Sequence, residues 1–261
     1  MPDNHDDLLQ SFRQSSIERL PWFSGPASSF RSRGITDAGE ISRRASGDAG
    51  AQHGSPAHQS VALIQETVAL RTWAADNNLL IREENLPTLH KGGREHHTLD
   101  PQTAGGWIYK ITIGPEFGYI PVCHPKRQFR DVCHWFSTET GLPSQYFQRL
   151  LLLNELFPRC ETQLAGFVSR GESLHAITAQ RIAWGQPADA NRISSWLLSH
   201  GFLFMSAWTW FRPTDQIALF DVMEKNVMEC GDPDLVPFDV IPLRCEGLFL
   251  EMMLAAVERL S

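Results

Sequence analysis

Apolar positions along this chain fall into short runs with two different periods. Val61, Ile64 and Val68, with Trp73 beyond them, recur at helical spacing behind Ser55-Pro56, which suits an N-cap and a first turn. Asp76-Asn77-Asn78 then reads as the stop. The next stretch carries strand signals. Leu79 to Leu89 reads as a strand with bends, Lys91 to Arg94 as a turn, and Glu95 to Leu99 as a second strand. Trp107 to Ile113 alternates cleanly, with Trp107, Tyr109 and Ile111 on one face and Ile108 and Lys110 on the other. Residues 114 to 142, with Gly114, Gly118, Pro121, Pro125 and Gly141, read as irregular.

The period then changes again. Pro143 opens a helix through Leu156, closed by Pro158, with Tyr146, Phe147, Leu150, Leu151 and Leu153 as a wide apolar face. Gln163 to Val168 and Leu174 to Arg181 read as strands. Asp189 is placed to cap a helix that runs to His200 and stops at Gly201, with Ile193, Trp196 and Leu197 as its stripe. Trp208 and Trp210 alternate on a strand, which suits core packing. Short β segments follow up to Val240, and a last helix spans Cys245 to Leu260. These elements predict an α+β fold in residues 58–261. Residues 1–57, rich in Ser and Gly and poor in aliphatics, read as a disordered N-terminal tail with one docking spot at Leu20, Trp22 and Phe23.

Composition narrows the functional classes. With 42% apolar residues the chain builds a real core, and no apolar run is long enough to span a bilayer. A net charge of −7 gives no general attraction to nucleic acid or anionic lipid. Five scattered cysteines suit a reducing cytoplasm rather than a disulfide framework. Cys123-His124 and Cys133-His134 do not have zinc-ligand spacing, and the histidines His90, His96 and His97 suit an exposed hairpin.

The informative run is Asp221-Val-Met-Glu-Lys-Asn226, followed by Gly231-Asp-Pro-Asp234 and Leu235-Val-Pro-Phe-Asp239. An Asp, then an Asn, then an Asp on strand, loop, strand, turn and strand suits a proton acceptor followed by two oxygen ligands for Mg²⁺. Upstream, Gly92-Gly93 sits where backbone could approach phosphates, Lys110 lies on a strand, and Ile177-Thr-Ala-Gln180 reads as a hinge. The same residues also suit plain duties: Gly92-Gly93 a hairpin turn, Lys110 an edge strand, and the acids turns.

In this order the motifs resemble the protein-kinase-like superfamily. Asp221 to Asn226 matches Asp-x-x-x-x-Asn, Phe238-Asp239-Val240 stands where the metal-binding Asp belongs, and Ile108-Tyr109-Lys110 looks like the strand carrying the phosphate lysine. More narrowly, several short runs between residues 58 and 245 resemble the small kinase domain of phage and mobile-element polyvalent proteins. These are Gly93-Arg-Glu-His96, Gln145-Tyr-Phe-Gln-Arg149, Asn154-Glu-Leu-Phe157 and Thr178-Ala-Gln180.

The resemblance implies a reduced bilobal fold, with an N-lobe of about 58–178 and a C-lobe of about 179–261. It implies ATP and Mg²⁺ as cofactors, with Asp221 and Lys110 as catalytic residues. Gly92, Gly93, Lys110 and Gln180 would line the nucleotide, and Asn226 and Asp239 would hold metal. The acceptor, protein or small molecule, stays open. The chain departs from the pattern at Leu219-Phe220, which replaces His-Arg, and at Val240, which replaces Gly. The acid that pairs with the lysine is not evident; Gln145, Glu139 and Glu155 are candidates. These departures keep two alternatives in view: a nucleotide-binding pseudokinase or interaction module, and a structural mobile-element protein that uses no nucleotide.

Overall fold

The computed structural model describes residues 28–47, 56–86, 89–90, 93–99, 107–114, 117–123, 136–206, 208–231 and 234–260. The docking spot at Leu20, Trp22 and Phe23, Gly92, and the side chains of both Cys-His pairs lie outside them. In chain order, helices α1 (Ser28–Ser46) and α2 (Pro56–Asp76) precede strands β1 (Leu80–Ile81), β2 (Leu89–His90), β3 (His96–Leu99), β4 (Trp107–Thr112), β5 (Tyr119–Cys123) and β6 (Phe136–Thr140). Helix α3 (Pro143–Leu156) leads into β7 (Thr162–Arg170), β8 (Ser173–Arg181) and β9 (Gln186–Pro187). Helix α4 (Ala190–Ser199) is followed by β10 (Leu203–Ser206), β11 (Thr209–Arg212), β12 (Ile217–Phe220), β13 (Val227–Glu229), β14 (Leu235–Pro237), β15 (Ile241–Arg244) and α5 (Gly247–Leu260). The class is α+β, and the chain divides into two compact units.

The first unit comprises residues 1–118, 141–147 and 162–182. Its sheet runs β1-β7-β8-β4-β3-β2, with β1 parallel to β7 and every other pair antiparallel. The alternation read in β4 holds: Trp107, Tyr109 and Ile111 join Ala165, Val168, Ile177 and Ala179 in a core on one face. At Gly166 a bulge shifts the β7–β8 register, and an added Cβ would stand 2.8 Å from the Leu79 carbonyl oxygen, so only glycine lets β1 come that close.

Helix α1 corrects the expectation of a disordered tail through residue 57. Ile35, Ala38 and Ser42 are buried, and α1 packs on α2 and β7. Small residues drive this, because Gly34 lies against Leu164 and Gly39 against Phe147, burying apolar surface that a count of aliphatics misses. Helix α2 begins and ends as read, but its faces are reversed. Ala62, Glu66, Leu70 and Ala74 are inside, while Val61, Ile64 and Val68 are exposed. The buried Glu66 carboxylate accepts hydrogen bonds from Ser46 Oγ (2.7 Å), Ser144 N (2.7 Å) and Ser144 Oγ (2.9 Å), so its charge is compensated by three donors.

The second unit comprises residues 119–140, 148–161 and 183–261. The division therefore falls at other places than a single cut near residue 178. Within the stretch read as irregular, residues 119–123 and 136–140 pair antiparallel as β5 and β6. The centre of this unit is the antiparallel sheet β10-β11-β12-β15. Strand β12 is buried at all four positions, because both its faces are covered. Ile217 and Leu219 pack with Ile193, Trp196 and Leu197 of α4, and Ala218 and Phe220 pack with Phe249, Met253 and Ala256 of α5. Asp189 caps α4 by accepting from the amides of Asn191 and Arg192, both at 2.9 Å. A smaller sheet, β14-β13-β9, stands beside it. Gly185, ahead of β9, touches the Glu229 carbonyl so closely that no Cβ fits there.

Candidate functional site

Strand β12 ends at buried Phe220, and the chain then turns sharply. Asp221 adopts a left-handed backbone with φ 57°, which an Asp tolerates better than most residues. Its carbonyl accepts from Met223 N at 2.9 Å, closing a tight turn. A short 3₁₀ segment from Glu224 to Asn226 then feeds β13. Asn226 is 4% exposed and donates from Nδ2 to the Asp221 carbonyl at 2.8 Å and to Asp221 Oδ2 at 2.9 Å. Both amide hydrogens are thus committed to Asp221. The carboxamide oxygen remains as an acceptor for something else.

Strands β13 and β14 form a hairpin in which Val227 faces Pro237. One residue further out, Phe238 N donates to the Asn226 carbonyl at 3.0 Å. Asp239 follows directly and is exposed. Asp221, Asn226 and Asp239 therefore gather at one end of this hairpin. Cys160 Sγ donates to the Pro237 carbonyl at 2.8 Å, which anchors the strand that delivers Asp239. The oxygens on offer, two carboxylates and one carboxamide, suit a hard cation such as Mg²⁺, which takes one or two protein oxygens and fills its octahedron with water and phosphate. Among the described residues no group of three or more His, Cys, Asp or Glu side chains is placed to hold a metal, and Mg²⁺ needs none.

The upstream residues belong to the first unit. Lys110 is half-buried on β4, opposite Thr98 of β3 and Thr178 of β8. Gln180 is buried and opposite Ile108, so Lys110 and Gln180 share one face of the sheet as diagonal neighbours. Gly93 is exposed ahead of β3 with open space around it, so its backbone does not demand glycine. Of the three side chains considered as partners for Lys110, Gln145 instead reaches back to the Leu142 amide at 2.8 Å as a helix cap. Glu155 pairs with Arg244 at 3.7 Å, and Glu139 is exposed on β6.

Two local readings need correction. His96 is buried, not exposed, and its Nε2 shares a hydrogen with the Tyr146 hydroxyl at 3.0 Å. Trp208 is not a core strand residue. Trp210 is 3% exposed, whereas Trp208 is 51% exposed in the turn before β11 with φ 58°. The Trp208 carbonyl accepts from Val222 N at 3.1 Å, which ties it to the Asp221 turn. Sequence alternation misses this because the hairpin turn resets the period at Trp208.

Residues 137–236 match a family model described as Serine/Threonine/Tyrosine Kinase found in polyvalent proteins. The matched stretch includes Gln180, Asp221 and Asn226; Lys110, Gly92, Gly93 and Asp239 fall outside it. No curated protein and no solved structure matches the chain. Among the described residues no helix is long and apolar enough to cross a membrane.

Proposed function

We propose, from the premise that residues 137–236 are kinase-like, that this chain is a compact atypical kinase of the cytoplasm that moves the γ-phosphoryl of ATP to a hydroxyl acceptor, protein or small molecule. The two units would take the parts of the two lobes of a reduced kinase fold. The reading rests on the Asp221–Asn226 pair, with Asp239 delivered to the same hairpin end. In the transfer, the acceptor oxygen bonds to the γ-phosphorus as the bond to the ADP oxygen breaks, and the hydroxyl proton passes to the Asp221 carboxylate. Asn226 holds that carboxylate in place through Nδ2, at no cost to its own oxygen. Lys110 neutralises phosphate charge, and Gln180 and the Gly92-Gly93 turn line the nucleotide. When bound, Mg²⁺ supplies charge neutralisation on the phosphates; the Asn226 carboxamide oxygen and the Asp239 carboxylate would hold it.

ATP turnover measured with and without Mg²⁺, for the native chain and for Asp239→Ala, tests this. The expected result is Mg²⁺-dependent turnover that Asp239→Ala abolishes. Equal background signals in all four arms would remove the enzyme. A second reading, a nucleotide-binding pseudokinase acting as an interaction module of a mobile element, draws support from Leu219 and Phe220. These occupy the positions of the family's His-Arg pair and are 0% and 5% exposed in the two cores. Saturable ATP binding without turnover on any acceptor would favour it.

A further inference from the structure

We propose that Trp208 positions the acceptor by stacking on it, and that the acceptor carries its hydroxyl on a flat ring. The inference rests on the reading of Asp221 as proton acceptor and goes beyond it by naming the residue and the chemistry on the acceptor side. Trp208 stands in a left-handed conformation that bulky side chains rarely adopt. Glycine or asparagine would sit there with less strain, so the indole stands at a position its backbone does not favour. Burial does not account for an indole at this position. The side chain is 51% exposed and belongs to neither core of its unit, while Trp210, two residues on, is fully engaged in one.

What distinguishes Trp208 is its attachment. One hydrogen bond, from Val222 N to the Trp208 carbonyl, joins it to the residue after Asp221. Asp221 is itself left-handed and clamped by Asn226. Two strained residues thus brace each other, one presenting a carboxylate and the other an open aromatic surface. An indole rooted there offers a platform for a planar ring, and aromatic pairs gain energy beyond their contact area. A ring stacked there would hold a hydroxyl on its rim beside the Asp221 turn, to which the Trp208 carbonyl is bonded. An aliphatic hydroxyl brings no ring face to this surface.

The test uses the full chain labelled with ¹⁵N at its eight tryptophan indoles, with the Trp208 signal assigned by its loss in Trp208→Phe. The protein is titrated with N-acetyl-tyrosinamide, with N-acetyl-serinamide, and with a short tyrosine-containing peptide. The expected result is a saturable shift of the Trp208 indole with the ring-bearing probes and none with serinamide. Saturation at lower concentration by the peptide or by the amide tells whether the ring comes on a peptide or free. In Mg²⁺-ATP transfer to the better probe, Trp208→Ala should raise KM about 2- to 10-fold with kcat little changed, and Trp208→Phe should restore most of it. An indole signal that ignores all probes, or responds equally to serinamide, overturns the proposal. So does a KM unchanged in Trp208→Ala. The two readings fail separately: an indole shift without transfer supports Trp208 while removing the kinase, and transfer indifferent to Trp208 does the reverse.

Discussion

Single residues carry local free energies that the hydrophobic pattern does not express. The left-handed backbone at Trp208 is one. Glycine removes the Cβ clash, so Trp208→Gly should be more stable than Trp208→Ala by about 1 kcal/mol, read as a melting temperature about 2–4 °C higher. Equal melting points would show that φ 58° carries no strain. His175 is another. Its Nδ1 lies 2.8 Å from the Thr112 carbonyl, which can only accept, so the ring donates there through Nδ1–H. Burial is the main cause that holds its pKa below the ordinary 6.5, against the opposing effect of the Thr112 bond. The unfolded chain therefore binds more protons than the folded one just below pH 6.5, and stability falls as pH drops from 6.5 towards the folded value. Urea midpoints across that range should fall more steeply for the native chain than for His175→Gln. Parallel curves would mean that His175 contributes nothing to the acid limb.

At the level of elements, the sequence announces existence and ends better than faces. The boundaries of α2, α3 and α4 are legible because caps and breakers act locally: Pro56 and Pro143 open helices, and Asp189 satisfies two amides of α4. The buried side of α2 is not legible. Hydropathy marks Val61, Ile64 and Val68, yet close packing of α1 selects Ala62, Leu70 and Ala74, with Glu66 admitted because three donors meet it. Pro121 likewise disguises β5, since proline argues against a strand except where its missing N–H faces away from the ladder. Ile64→Lys should change stability by no more than about 0.5 kcal/mol, and Leu70→Ala should cost about 2–5 kcal/mol. Chemical denaturation of both variants checks the assignment, and the opposite ranking would restore the face read from hydropathy. Asp189→Ala should cost about 1 kcal/mol through the lost cap.

At the level of the whole molecule, the candidate site was legible in proportion to its continuity along the chain. Asp221 and Asn226 lie five residues apart on one strand and loop, where spacing suggests the contact that their side chains make at 2.9 Å, and Asp239 follows Phe238, whose amide bonds to the Asn226 carbonyl. Lys110 and Gln180 lie far apart in sequence but share a sheet face, which alternation suggests and only the β4–β8 register establishes. The carbonyl of Trp208 that braces the Asp221 turn leaves no trace in residue identity, because any residue supplies a carbonyl. Lys110 and Asp239 are each proposed to serve ATP, and ligand linkage tests each without any premise about geometry. A ligand that binds only the folded chain adds about 2.7 kcal/mol at a hundredfold excess over its Kd. For a chain of this size that amounts to a rise in melting temperature of about 5–11 °C. Millimolar Mg²⁺-ATP should produce such a rise in the native chain, and Lys110→Met and Asp239→Ala should each remove most of it. Trp208→Ala, placed on the acceptor side, should keep it. A melting curve indifferent to Mg²⁺-ATP would withdraw the nucleotide from this fold altogether. A rise that survives Lys110→Met would withdraw the lysine alone.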